Sequence, residues 1–259
     1  YFAGAVGMVV MVVLAVVILI RSNILFRAKM KAEHEDNIFQ QILKSNDKAQ
    51  NWELLKKHSV ESLVESLDYA SEAYLKLTNG FMDDDLKMVR RSSSMTNNRK
   101  EYLKRLKRKE MVALRRIDLT LAMEKNTWFH VQQNCCEQFY YVLKRATEPC
   151  VEHMENNFNP MPKPYCEEFV PLRDQLDNLM SRVRRMIQSG DYSTIDMVTE
   201  SGDTLRSKIQ SARTTQMFRI HDEKSDLKVS LVYLNLLSES QELLAAVLKL
   251  MRASNRFQN

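Results

Sequence analysis

The hydrophobic pattern divides the chain at once. Residues 1–20, Tyr1 through Ile20, contain no charged side chain, and Arg21, Arg27, Lys29 and Lys31 follow. As a helix, that run covers roughly 30 Å, the thickness of a bilayer's hydrocarbon core. It predicts a transmembrane helix whose C-terminal, cationic end faces the cytoplasm. A secretory signal peptide would place basic residues before a shorter apolar core and a small-residue cleavage site after it, and this run has none of the three. A buried soluble helix would carry a polar stripe. Residues 1–31 are therefore assigned to a membrane helix and its cytoplasmic extension. Residues 32–58 are assigned to a tether, with Ile38, Phe39 and Ile42 as apolar points, a break at Ser45-Asn46-Asp47 and a short helix over Trp52–Lys57. The chain starts inside the apolar run without an initiator Met, so it reads as the tail of a longer protein, cut near its last membrane crossing.

Beyond residue 58 the apolar period is helical throughout. Val60, Leu63, Val64, Leu67, Ala70, Tyr74 and Leu77 predict a helix from Ser59, as N-cap, to the stop at Asn79-Gly80. A second helix is expected from Asp83-Asp84-Asp85, whose carboxylates suit a helix N-terminus, to about Ile117. Leu103, Leu106, Ala113, Leu114 and Ile117 form its buried face, and Ser92–Asn98 is a fraying stretch. A third helix starts near Asp118. A fourth covers about Leu172–Ser189, a fifth Ser193–Ile220, and a sixth Asp222 to about Arg256. The sixth carries a near-heptad seam of Val229, Val232, Tyr233, Leu236, Leu243, Val247 and Leu250, with Ser240 as its one polar step.

Composition sharpens this to an all-α reading. The five glycines are too few for the turns of a sheet protein, and all five prolines fall between Pro149 and Pro171. No nucleophile constellation, P-loop or dinucleotide-binding glycine pattern is present, and nothing argues for an enzyme. Cys135, Cys136, Cys150 and Cys166 lack a C-x-x-C pair and read as reduced, buried thiols in the cytosol. The net charge of +5 is mild and suits work near an anionic membrane surface.

The two halves echo one another. Gly80 through Val89 faces Gly190 through Val198; Arg116-Ile117-Asp118 faces Arg219-Ile220-His221-Asp222; Glu137 with Val142-Leu143-Lys144 faces Glu242 with Val247-Leu248-Lys249. The shared order suggests an internal repeat of three helices, residues 59–157 and 172–257, joined by a proline-rich linker over 158–171. A duplicated three-helix bundle of this kind resembles the PhoU-like domain. Asn79-Gly80-Phe81-Met82, Arg108 through Met111, Arg115-Arg116-Ile117, Met123 through Trp128, Asn157-Phe158-Asn159-Pro160, Leu231 through Leu234 and Arg252 through Phe257 are similar to the C-terminal region of bacterial inorganic phosphate transporters of the PiT family. The resemblance covers nearly the whole chain. It implies a PhoU-like cytoplasmic domain after the last membrane helix, which regulates uptake of inorganic phosphate with a coupled cation across the inner membrane. The family's Gly-Ala-Asn-rich transport repeats are absent from this sequence, so transport-site residues are expected upstream of Tyr1. The alternative is a membrane-anchored helical signalling or scaffold module with no transport partner.

Two groups of residues carry candidate chemistry. PhoU-like proteins often bind metal through acidic i, i+4 pairs on the last helix of each repeat, and Asp222 and Asp226 have that spacing here. The third helix supplies no matching pair, so a metal ion is a weak expectation beside simple helix capping. Residues Arg99 to Arg116 hold nine Lys or Arg, with Glu101 and Glu110 interspersed. Lys104, Arg105, Lys107 and Arg108 form an expected contact face for anionic lipid or for the transporter's membrane domain. Nucleic acid is not an expected partner, since only Tyr102 interleaves with the charges. No cofactor is expected.

Overall fold

The computed structural model describes the backbone of residues 2–222 and 226–259; in the first helix it describes the side chains of residues 13, 16–24, 26, 30 and 32 onward. Every regular element among these residues is helical. The seven helices are α1 (Phe2–Lys44), α2 (Lys48–Met82), α3 (Leu86–Leu114), α4 (Leu119–Glu155), α5 (Lys163–Ser189), α6 (Ile195–His221) and α7 (Leu227–Gln258).

Aspartates set most of the starts. Asp47, Asp85, Asp118 and Asp226 each occupy the N-cap of a helix and accept hydrogen bonds from the backbone amides just beyond. This satisfies donors that the first helical turn leaves open. α5 starts differently, after Pro162 with Pro164 in its first turn, and it ends at Gly190 in the left-handed region, φ 71°.

Several expected boundaries move. Ser59 is no cap: the helix already begins at Lys48, and Ser59 is buried in its interior. Nor does Gly80 stop α2, which continues to Met82. A Cβ at Gly80 would lie 2.9 Å from both Met88 Cβ and Val89 Cγ2, so this glycine lets α3 come close to α2. Ser92–Asn98 does not fray, because Ser92 donates to the Ala73 carbonyl at 2.8 Å and Thr96 to the Ser92 carbonyl at 2.9 Å, both buried. The proline-rich stretch is mostly helix: Pro149 lies inside α4 and Pro171 inside α5, leaving only residues 156–162 as connection. The sixth expected helix starts at Leu227 rather than Asp222.

The helices pack as two groups of three. α2 lies against α5 and α4 against α7, while α3 rests on α2 and α4, and α6 on α5 and α7. Both central pairs are antiparallel. Ser71 bonds Asp177 and Arg184 bonds Asp68 across the first pair; Gln132 bonds Ser254 and Arg145 bonds Glu239 across the second. The seam of α7 is buried at every expected position, from Val229 to Leu250. Its polar step, Ser240, shares a hydrogen bond of 2.7 Å with the Tyr74 hydroxyl.

Among the described residues, α7 is the helix long and apolar enough to cross a membrane, and most of its apolar stretch is buried inside the bundle. It belongs to one of the bundle's two central pairs. The segment read as the membrane helix, residues 1–20, has most of its side chains outside the described ones. Its backbone is helical from Phe2, and Val13, Val16, Val17, Ile18, Leu19 and Ile20 are exposed.

Candidate functional site at the joint of the first helix and the bundle

α1 is a single helix of 43 residues. Its last turns repeat apolar side chains at Ile38, Phe39 and Ile42, which pack on α2 and α3 and belong to one buried cluster with Leu55, Leu106, Ala113, Leu114, Ile117, Phe129 and Phe257. The stretch expected to be a tether is therefore docked. The i, i+1, i+4 spacing that marks such a stripe was present in the sequence.

Polar contacts fix the docking. Tyr102 donates to Glu35 at 3.0 Å and also lies 3.2 Å from Glu65. Lys109 pairs with Asp36 and sits over the Phe39 ring. Phe39 meets His58 edge-on, ring centroids 4.7 Å apart. Asn51, almost fully buried, donates from Nδ2 to the carbonyls of Ser45 at 3.3 Å and Arg116 at 3.1 Å. One side chain thus ties the α1–α2 turn to the α3–α4 turn.

Under this seam lies a buried acid. Glu110 has no exposed surface; the Gln133 amide donates to it, and His58 Nε2 lies 3.5 Å from Oε1. Burial, and then the nearby Glu35 carboxylate, push its carboxyl up to about 8. A buried charge, Arg99, lies on the same helix; it bonds Glu65 at 3.2 Å and Ser66 at 2.9 Å, with Tyr69 and Tyr102 against its guanidinium plane. Both lie in the run whose charges were expected to form an exposed contact face. The available signal was register: Arg99 and Glu110 continue the three–four spacing of Leu103, Leu106 and Ala113 on the buried face.

The expected contact face is only partly intact. Lys104, Arg105 and Arg108 are exposed, while Leu103 and Leu106 are buried as anticipated. Lys107 is half-buried and bonds Glu137 at 2.9 Å.

Asp222 and Asp226 are not brought onto one helical face. Asp222 ends α6 and Asp226 begins α7. Asp226 bonds the Lys228 amide at 2.8 Å and the Asn159 side chain at 2.6 Å, which holds its carboxyl below the usual range. Among the described residues no group of three or more His, Cys, Asp or Glu side chains is arranged to hold a metal ion. Cys135, Cys136 and Cys150 are buried, and burial pushes the Cys136 thiol up to about 11. His153, in the Cys150-x-x-His153 stretch, bonds the Asn159 carbonyl at 2.8 Å between the rings of Phe81 and Phe158. Compared with protein-family models, curated proteins and solved structures, the chain matches none.

Proposed function

We propose that this chain is the regulatory end of an inner-membrane phosphate transporter of the PiT class, a PhoU-like cytoplasmic bundle joined to the transporter's membrane part by α1. In this reading the parent protein carries inorganic phosphate with a coupled cation. The bundle then alters that uptake, and the exposed cations Lys104, Arg105 and Arg108 lie against anionic lipid or acidic cytoplasmic loops. The duplicated order of the helices and the segment similarities support the reading. The observation that carries it is the continuity of α1. The same helix that holds the apolar run ends in the packed seam of Ile38, Phe39 and Ile42. A change in the bundle reaches the apolar run through a stiff element rather than through a slack linker. A regulator acts only if its contacts differ between two states of its target.

The test is phosphate uptake by the parent protein carrying Phe39→Ala, or a Gly-Gly pair at Ala32-Glu33. Either change loosens the joint without touching a transport site. An altered uptake rate at normal expression is expected; unchanged kinetics in both variants would overturn the regulatory reading. A reporter fused after Asn259 should behave as cytoplasmic, and periplasmic activity there would overturn the orientation. A coding sequence upstream of Tyr1 without further apolar spans would leave the anchored-module alternative.

A further inference from the structure

A cleft of about 670 Å³ opens where the α1–α2 turn meets the α3–α4 turn. Its charged lining is entirely cationic: Lys48, Arg115 and Arg116, all exposed. Among the described residues none of the three has a carboxylate within ion-pair distance. The two nearest acids in sequence are engaged elsewhere. Asp47 caps α2 through the amides of Ala49 and Gln50, and Asp118 caps α4 through those of Thr120 and Leu121. Asn126 adds a hydrogen-bonding side chain.

The rest of the lining is apolar, and two members stand out. Leu119 is 70% exposed and Met123 is 72% exposed, the most open large apolar side chains in the described bundle. They occupy successive turns of α4 on the cleft's edge. Large apolar groups left in solvent beside uncompensated cations suit a ligand with both characters. The walls are held in place by Asn51, which bonds the backbone of both turns from its buried position. Two guanidinium groups lining one cleft favour a phosphate, which can take paired N–H donors from a guanidinium. The volume fits a molecule of nucleotide size.

We propose that this cleft binds an organic phosphate, its anionic group held by Arg115, Arg116 and Lys48 and its apolar or aromatic body laid on Leu119 and Met123. The inference does not rest on the transport reading. Because Ser45 and Asn46 of the α1–α2 turn also line the cleft, a bound ligand touches both α1's end and the bundle. Occupancy and the docking of α1 are thereby linked.

The test uses the whole chain in nanodiscs of phosphatidylcholine, a lipid without net charge, titrated with ATP in a calorimeter. Saturable binding at one site is expected, weakened about tenfold or more by Arg115→Gln with Arg116→Gln. Met123→Ser should weaken ATP binding and leave inorganic tripolyphosphate binding unmoved. Lys104→Gln with Arg105→Gln, on the exposed face of α3 outside the cleft, should leave the ATP isotherm unchanged. The exposed arginine side chains make no structural ion pair, so the double variant keeps its fold, and circular dichroism checks this. No saturable heat up to about 5 mM ATP would overturn the proposal. So would unchanged binding in the arginine variant, or tripolyphosphate binding as tightly as ATP, which would mean a site for charge alone. ATP binding with no change in uptake by the parent protein would leave the cleft standing and count against the regulatory reading.

Discussion

α3 and α6 hold equivalent places, each resting on two central helices, yet their buried faces differ in kind. That of α6 is Val198, Gly202, Leu205, Ile209, Ala212 and, at its end, Gln216. That of α3 keeps the same three–four spacing but reads Val89, Ser92, Thr96, Arg99, Leu103, Leu106, Glu110 and Ala113. Burying a charge is costly unless it is paired and hydrogen-bonded. α3 meets that cost where α1 docks: Arg99 joins Glu65 and Tyr102, and Tyr102 joins Glu35 of α1. Glu110, beside His58, avoids it by keeping its proton. Among the described residues α6 rests on α5 and α7 alone. Its own polar network, Arg219 with Glu168 and Glu168 with Tyr233, is half-buried at its C-terminal end, outside the apolar stripe from Val198 to Ala212. Arg99 and Glu110 on the buried stripe of α3 thus mark the joint rather than a poorly made core.

The comparison separates a bundle core from a joint, and mutations should separate them too. The largest effect belongs to the core that both groups share: Leu236→Ala or Leu243→Ala should cost about 2–5 kcal/mol and lower the melting temperature of the whole bundle. A near-zero shift for both would contradict the seam. Phe39→Ala should cost about 3 kcal/mol. Its signature is local, with faster hydrogen exchange over residues 33–58 and little change in α5–α7. Equal loss everywhere would mean the joint is not a separate unit.

Glu110 sharpens the contrast through pH. The folded chain holds this proton up to about pH 8, whereas the unfolded chain releases it near the ordinary 4.5. Its contribution is therefore fully present below about pH 4.5 and lost as pH rises to about 8. Glu110→Gln should flatten the stability profile across that window, measured by urea denaturation at successive pH values. An unchanged slope would place the titration elsewhere. Smaller still, Asp226→Ala removes a helix cap and should cost about 1 kcal/mol. Removal of calcium, magnesium or zinc by chelator should not alter that cost, and a metal-dependent difference would revive the acidic-pair reading. Smallest is the outer face of α3. Lys104, Arg105, Lys107 and Arg108 changed together to Gln should shift stability by no more than about 0.5 kcal/mol. Binding to anionic vesicles should fall at low salt; unchanged binding would make this face ordinary solvated surface.

The sequence made the helices legible because period, caps and the confinement of proline all agree. It carried the α7 seam and the exposed positions of Lys104, Arg105 and Arg108 for the same reason: each depends on local periodicity. Boundaries failed where a residue type has two uses. Gly80 ends a helix by its backbone freedom or serves close packing by its size, and only the neighbouring helix decides. Proline at position 164 starts a helix that the same residue elsewhere would end. The joint was missed because it is non-local. Ile38, Phe39 and Ile42 were visible as apolar points, but the surface they cover lies on α2 and α3. The cleft was missed for the same reason, since its walls come from two turns about seventy residues apart along the chain.

An unbroken helix transmits angle as well as distance. α1 spans about 64 Å and turns about 100° per residue. The direction in which the bundle leaves the apolar run is therefore fixed by the number of residues between them. One residue inserted after Asn23 would swing the bundle about 100°, a little over a quarter of a turn, around the helix axis and move it only about 1.5 Å along it. Four residues would bring the heading back to within about 40° and displace it by about 6 Å. A protein with a slack linker would ignore both insertions. For this chain the integer count between the apolar run and the seam acts as a phase setting, and under the proposed reading phosphate uptake should rise and fall with insertion length at the helical period.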